Sequence, residues 1–103
     1  MKRINYYVRC SAVLPGLRSS EATVEVTGHD GKKEYVRASL SGLYKDAEGV
    51  QYLCIGLIGT HQDSKTALVQ FPQEADSGAN RIWVTADSLT SQPEAIQHEA
   101  AIA

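Results

Sequence analysis

The sequence is short of most residues on which recognisable chemistry is built. It has two cysteines, Cys10 and Cys54, far apart in the chain. Neither belongs to a C-x-x-C pair, so a zinc ribbon and a dense disulfide scaffold are both excluded. Asn5, Arg9 and Ser11 interrupt the segment after Met1, so no secretory leader is expected there. Two reduced thiols behaving as small hydrophobes follow from that. The longest mostly apolar run, YLCIGLIG at 52–59, is far too short to span a bilayer. A soluble, cytoplasmic protein with no membrane partner is the expectation. An excess of basic charge is missing too: the net charge is −2. Binding nucleic acid through its phosphates would then require a local basic patch, because the average charge opposes it.

Catalytic and metal-binding patterns are equally scarce. The three histidines, His29, His61 and His98, share no i, i+4 spacing and fall in expected turns and the tail. Cys54 lies in the most apolar stretch, where burial disfavours its thiolate. Ser39 and Ser41 have no nucleophile-elbow context. GHDG and GIGLIG lack the phosphate-loop pattern and its following helix. EADSGAN lacks the ligand spacing of a calcium loop. No catalytic residue, metal site or cofactor is assigned, and a non-enzymatic protein is the expectation.

What is present is alternation. At 103 residues the chain suits one domain, and 43% apolar with 21% charged residues is an ordinary globular balance. Residues 4–10, INYYVRC, alternate with Ile4, Tyr6, Val8 and Cys10 on one side and Asn5, Tyr7 and Arg9 on the other. SAVLPGLRSS reads as a loop around Pro15-Gly16. ATVEVT at 22–27 and EYVRASL at 34–40 flank Asp30-Gly31, which predicts a hairpin with Val24, Val26, Val36, Ala38 and Leu40 inward. SGLYKDAEG reads as a polar link. VQYLCIGLI at 50–58 is apolar on both faces, which predicts a strand buried on both sides or bent at Gly56. TALVQF at 66–71 is another strand, ended by Pro72. RIWVT at 81–85 puts Ile82 and Val84 inward and Arg81, Trp83 and Thr85 outward. ADSL then reads as one helical turn that tucks Leu89 onto the core. The tail from 91 to 103 carries capping-box spacing at Ser91 and Glu94 and good helix propensity, so residues 91–103 are expected as a short helix or tail after a barrel domain at 1–90. No internal repeat is visible.

Five or six short strands with regular turns point to a small all-β barrel. The segments ATVEVT, KEYVRASL, YLCIGLIG, TALVQFP and IWVTADSL, over about residues 22–90, resemble an SH3-like barrel. An OB-like barrel is the rival arrangement. The resemblance implies a fold and not a ligand: the proline-binding residues of signalling SH3 domains and the motifs of Sm-like rings are absent. In such a barrel the first strand lies beside both the second and the last, so Tyr35, Arg37, Arg81 and Trp83 are expected to share a binding face with Glu25. Tyr7 and Arg9 would add a similar pair. Arginine and tryptophan dominate interface hot spots, so the first expectation is a protein-binding or self-associating module, a homo-oligomer. The same four residues could stack bases and hold phosphates, making a nucleic-acid-binding accessory protein the alternative. A small-ligand pocket lined by Tyr44, Tyr52 and Phe71 is the third.

Overall fold

A computed structural model describes residues 5–91 and 96–98. Every regular element longer than a single helical turn is a β-strand. The strands are β1 (Tyr6–Arg9), β2 (Ala12–Pro15), β3 (Glu21–Thr27), β4 (Lys33–Ser39), β5 (Leu43–Asp46), β6 (Gln51–Thr60), β7 (Thr66–Gln70), β8 (Arg81–Thr85), β9 (Leu89–Thr90) and β10 (Ile96–His98). They form a seven-stranded sheet, with β10, β5, β6, β1 and β9 in order and β7 and β8 branching from β6, and a three-stranded sheet ordered β2, β3, β4. The all-β class holds. The ladders do not close into a barrel.

Local chemistry explains the central hairpin. Val24 and Val26 of β3 and Val36 of β4 are β-branched and fully buried, while their odd-numbered neighbours face out. The turn needs Gly31, which sits at φ +84° where a side chain is strained, and Asp30 Oδ1 accepts from the Lys32 N–H to hold it. Two single-turn 3-10 helices, Leu40–Gly42 and Ala86–Ser88, follow β4 and β8. Their capping residues, Ser39 and Thr85, adopt nearly the same backbone angles. The second turn delivers Leu89 onto the core, as ADSL suggests.

These matching turns belong to a larger correspondence. A shift of 45 or 46 along the chain carries Val8 to Leu53, Ala22 to Ala67, Val24 to Val69, Val36 to Ile82, Ala38 to Val84 and Leu43 to Leu89. The pairings obey the same shift. Ala22 opposes Ala38 as Ala67 opposes Val84, and Leu43 opposes Leu53 as Leu89 opposes Val8. Val8 and Leu53 are therefore equivalent, and they also oppose each other in the β1–β6 pairing. That is the geometry of a pseudo-twofold axis between them. The chain is a repeat: a bent strand, a two-strand meander, a 3-10 turn and a closing strand, made twice. β1–β2 and the two halves of β6 are the bent strands. β6 leaves the central ladder at Gly56 and bulges between Leu57 and Gly59.

The core runs across the axis. Leu89, Val8, Leu53 and Leu43 form one row over β9, β1, β6 and β5, and the last three are fully buried. Val24, Val36, Val69 and Val84 close over that row from the two meanders.

Several expectations need correction. Ala12–Pro15 and Leu43–Asp46 are strands, not a loop and a polar link; both are four residues long, too short for alternation to stand out. β6 is not buried on both faces, because its outward side chains lie on the open side of the sheet. The expected C-terminal helix is absent at 96–98, where the chain pairs antiparallel with β5 as β10. Hydrogen bonding at a sheet edge overrides helix propensity there. The tail thus contributes a strand to the body rather than standing apart from it. The rest of that expected helix lies outside the described residues.

Leu53 sits at the axis with no exposure. Leu53→Ala should lower stability by about 2–5 kcal/mol, read as a fall in urea midpoint at unchanged m-value.

Candidate binding faces

The four residues singled out from the sequence divide into two pairs. Tyr35 and Arg37 lie on β4 in the three-stranded sheet, and Arg81 and Trp83 lie on β8 in the other. Among the described residues β8 pairs with β7 and not with β3, so the strand pairing expected to bring the four together is not the one that forms. All four do point outward, as their parity indicated. The shift of 46 makes Tyr35 equivalent to Arg81 and Arg37 to Trp83. The structure places them on two equivalent faces, one per repeat.

The first face is polar at its centre. Glu25 opposes Tyr35 across β3–β4. The Tyr35 hydroxyl donates to Glu25 Oε2 at 2.9 Å, the Ser11 hydroxyl donates to Oε1 at 2.9 Å, and Lys33 Nζ lies 3.6 Å away. The hydrogen bonds from Tyr35 and Ser11 hold the Glu25 carboxyl below the usual carboxylate range, with Lys33 assisting. The same bond raises the Tyr35 phenol. Arg37 stands one cross-strand row away, opposite Thr23, with Leu14 on the far side of Thr23.

The second face is apolar at its centre. Leu68 of β7 opposes Trp83 of β8 and Gly59 of β6, and the adjacent bulge residue Ile58 is 45% exposed. Ile58, Leu68 and Trp83 therefore form a row across three strands. Trp83 is 38% exposed, a surface residue and not core. The His61 ring meets it edge-on, with centroids 6.3 Å apart. His61 is itself held by Asp63, whose Oδ1 is 3.2 Å from Nδ1. In the next row Arg81 Nε donates to Gln70 Oε1 at 3.1 Å, which fixes the guanidinium along the sheet.

Between β8 and the β3–β4 turn lies a cleft of about 290 Å³, bordered by Gly28, His29, Lys32, Glu34, Arg81 and Trp83. The turn approaches β8 closely enough for the His29 N–H to donate to the Trp83 carbonyl at 2.9 Å. A Cβ on Gly28 would meet that carbonyl at 3.3 Å and Asp30 Oδ1 at 3.0 Å, so glycine is required by the approach. Glu34 is buried at the cleft's inner end, where the Ser77 hydroxyl donates to it at 2.6 Å and Lys32 Nζ lies 3.8 Å away.

The remaining candidates fare differently. Tyr7 is 4% exposed and packs edge-on against Tyr44, with centroids 5.0 Å apart, so it does not join Arg9 on a binding surface. Its position within β1, flanked by β6 and β9, accounts for that burial. Tyr44 and Tyr52 oppose each other across β5–β6, whereas Phe71 is core and lines a shallow depression with Cys54 and Ile58. The three do not build the expected ligand pocket. Both cysteines are free thiols. Burial pushes Cys10 up to about 12 and also raises Cys54. Among the described residues no group of three His, Cys, Asp or Glu side chains could hold a metal, and no helix is long and apolar enough to cross a membrane. Compared with protein-family models, curated proteins and solved structures, the chain matches none.

Two measurements follow. Tyr35→Phe should raise the Glu25 titration midpoint toward the ordinary carboxylate value, read by carboxyl NMR. Glu25 is lowered in the folded state, so its contribution to stability is present above the unfolded carboxylate range and is lost as pH falls through the folded value. Y35F should flatten that acid-side loss. In a thiol titration of the native protein at pH 8, Cys10 should react far more slowly than it does after denaturation, because its thiolate is scarce.

Proposed function

We propose that the chain is a non-enzymatic β-module of the SH3-like kind, acting in the cytoplasm, that associates with another protein surface through the outer face of β6, β7 and β8. The observation that carries this reading is the apolar row of exposed Ile58, half-buried Leu68 and exposed Trp83, spanning three strands with Arg81 at its border. Large apolar side chains aligned across a sheet face are what a second protein surface buries. The simplest partner is a second copy of the chain. The SH3-like description is supported by the ending of each repeat, where a strand, a 3-10 turn and an apolar closing residue follow in order.

Nucleic-acid binding is the second reading, favoured by Arg81 and Trp83 on one face of one strand. Asp63, beside the His61 that packs on Trp83, weakens it by repelling phosphate. If it holds, Arg37→Ala with Arg81→Ala should abolish salt-sensitive retention of nucleic acid. Trp83→Ala should matter more to a protein interface.

The reading predicts a mass above that of the 11.2 kDa chain at high concentration, falling on dilution, with Trp83 emission shifting to the red as it falls. Ile58→Ser with Trp83→Ser should give a folded monomer throughout. A wild-type chain that stays monomeric to millimolar concentration with unchanged emission would sink self-association.

A further inference from the structure

The pseudo-twofold relation supplies a comparison that one repeat alone could not. In each repeat the connection between the two meander strands reaches over to the last meander strand of the other repeat. The β3–β4 turn bonds to β8 through His29 N–H and the Trp83 carbonyl. The connection at 72–80 bonds to β4 through Asp76 N–H and the Tyr35 carbonyl, at 2.9 Å. The two contacts are reciprocal, but their fillings differ. The 72–80 connection folds back on itself, with Ala75 N–H donating to the Ala79 carbonyl and Gly78 N–H to the Ala75 carbonyl. It drives Ala75 into the core at 3% exposure. The β3–β4 turn continues the ladder to Thr27–Lys33 instead, and lies against β8 with the exposed His29 ring, its Nδ1 3.4 Å from the Trp83 carbonyl, and buries no residue there as Ala75 is buried. What remains beside β8 is the open cleft.

The backbone at that cleft is available for pairing. Trp83 opposes Leu68 and yet its carbonyl is bonded by His29, on the side away from β7. Residues two apart on a strand turn their amides the same way, so Arg81 directs its N–H and C=O into the cleft. Arg81 is the equivalent of Tyr35, whose carbonyl takes the Asp76 N–H in the filled counterpart. The charges agree with this. The connection that fills the counterpart carries Glu74 and Asp76 and lies on the strand bearing Arg37. At the open cleft the cations Arg81 and Lys32 stand exposed at the rim. The two carboxylates there are already engaged, Asp30 by the Lys32 N–H and Glu34 by Ser77.

We infer that the cleft between the β3–β4 turn and β8 receives a short acidic segment of a partner protein, which adds to the β8 edge and seats one alanine-sized residue beside Trp83. This rests on the reading of the chain as a protein-binding module and names the partner chemistry for one part of the same region. It is β-strand addition, with main-chain bonds giving affinity and the small pocket giving selectivity.

The chain's own filling loop provides the probe. A capped peptide of residues 72–80, PQEADSGAN, is titrated into the isotope-labelled full chain, and backbone amide shifts are followed by NMR. The expected result is saturable shifts at residues 28–32 and 81–83, with millimolar affinity that weakens roughly tenfold in Arg81→Glu. The peptide carrying Ala75→Lys should not bind. No shifts at those amides, shifts confined to Ile58 and Leu68, or binding unaffected by R81E would each overturn the inference. Light scattering on the same samples separates the two readings: a chain that self-associates while the peptide leaves the cleft amides unmoved keeps the module and loses the cleft.

Discussion

Val8 and Leu53 face each other across the antiparallel pairing of β1 and β6, and the rest of the molecule is arranged about that contact. Each belongs to a bent strand whose far half starts a meander. Each is also opposed on its other side by the leucine that closes a repeat, Leu89 beside Val8 and Leu43 beside Leu53. The row of four side chains is continuous, so the two repeats share one core and not two. A chain of this length has little apolar surface to spare, and a shared core is the economical way to bury it. Polar groups are kept to the periphery of that core, where Glu34 meets Ser77.

The symmetry of the core does not extend to the surface. Equivalent outward positions hold Tyr35 and Arg37 in the first repeat and Arg81 and Trp83 in the second. Their surroundings diverge further. Glu25 collects Tyr35, Ser11 and Lys33 into a satisfied polar cluster, while its equivalent, Gln70, only steadies Arg81. The first face is thereby internally paired, and the second carries an apolar row with Ile58 and Trp83 exposed. Two copies of one backbone pattern thus present surfaces of different chemistry.

Much of this was legible in the residues. β3, β4 and β8 show period-two alternation over five to seven residues, and their inward and outward sets are those of the structure. Gly56 marks the place where β6 changes partners, and ADSL the 3-10 turn after β8. β2 and β5 escaped notice because four residues give too few alternations. The repeat escaped because core positions tolerate exchange among apolar residues: Val36 answers to Ile82 and Ala38 to Val84, so size is conserved loosely and identity hardly at all. Parity tells which way a side chain points but not which strand lies next to it, and β4 and β8 belong to separate sheets. Tyr7 is the sharpest instance, outward by parity and buried against Tyr44.

The closing strands have one further consequence. β5 belongs to the first repeat but pairs with β6 of the second, and β9 belongs to the second but pairs with β1 of the first. The seven-stranded sheet therefore needs residues of both repeats. During synthesis the first repeat leaves the ribosome with the β3–β4 hairpin able to form and with Val8 lacking both of its neighbours. One arrives with β6 and the other only with Leu89. The native sheet must therefore wait for β9 to be made, and β1 stays unpaired on the nascent chain until β6 emerges.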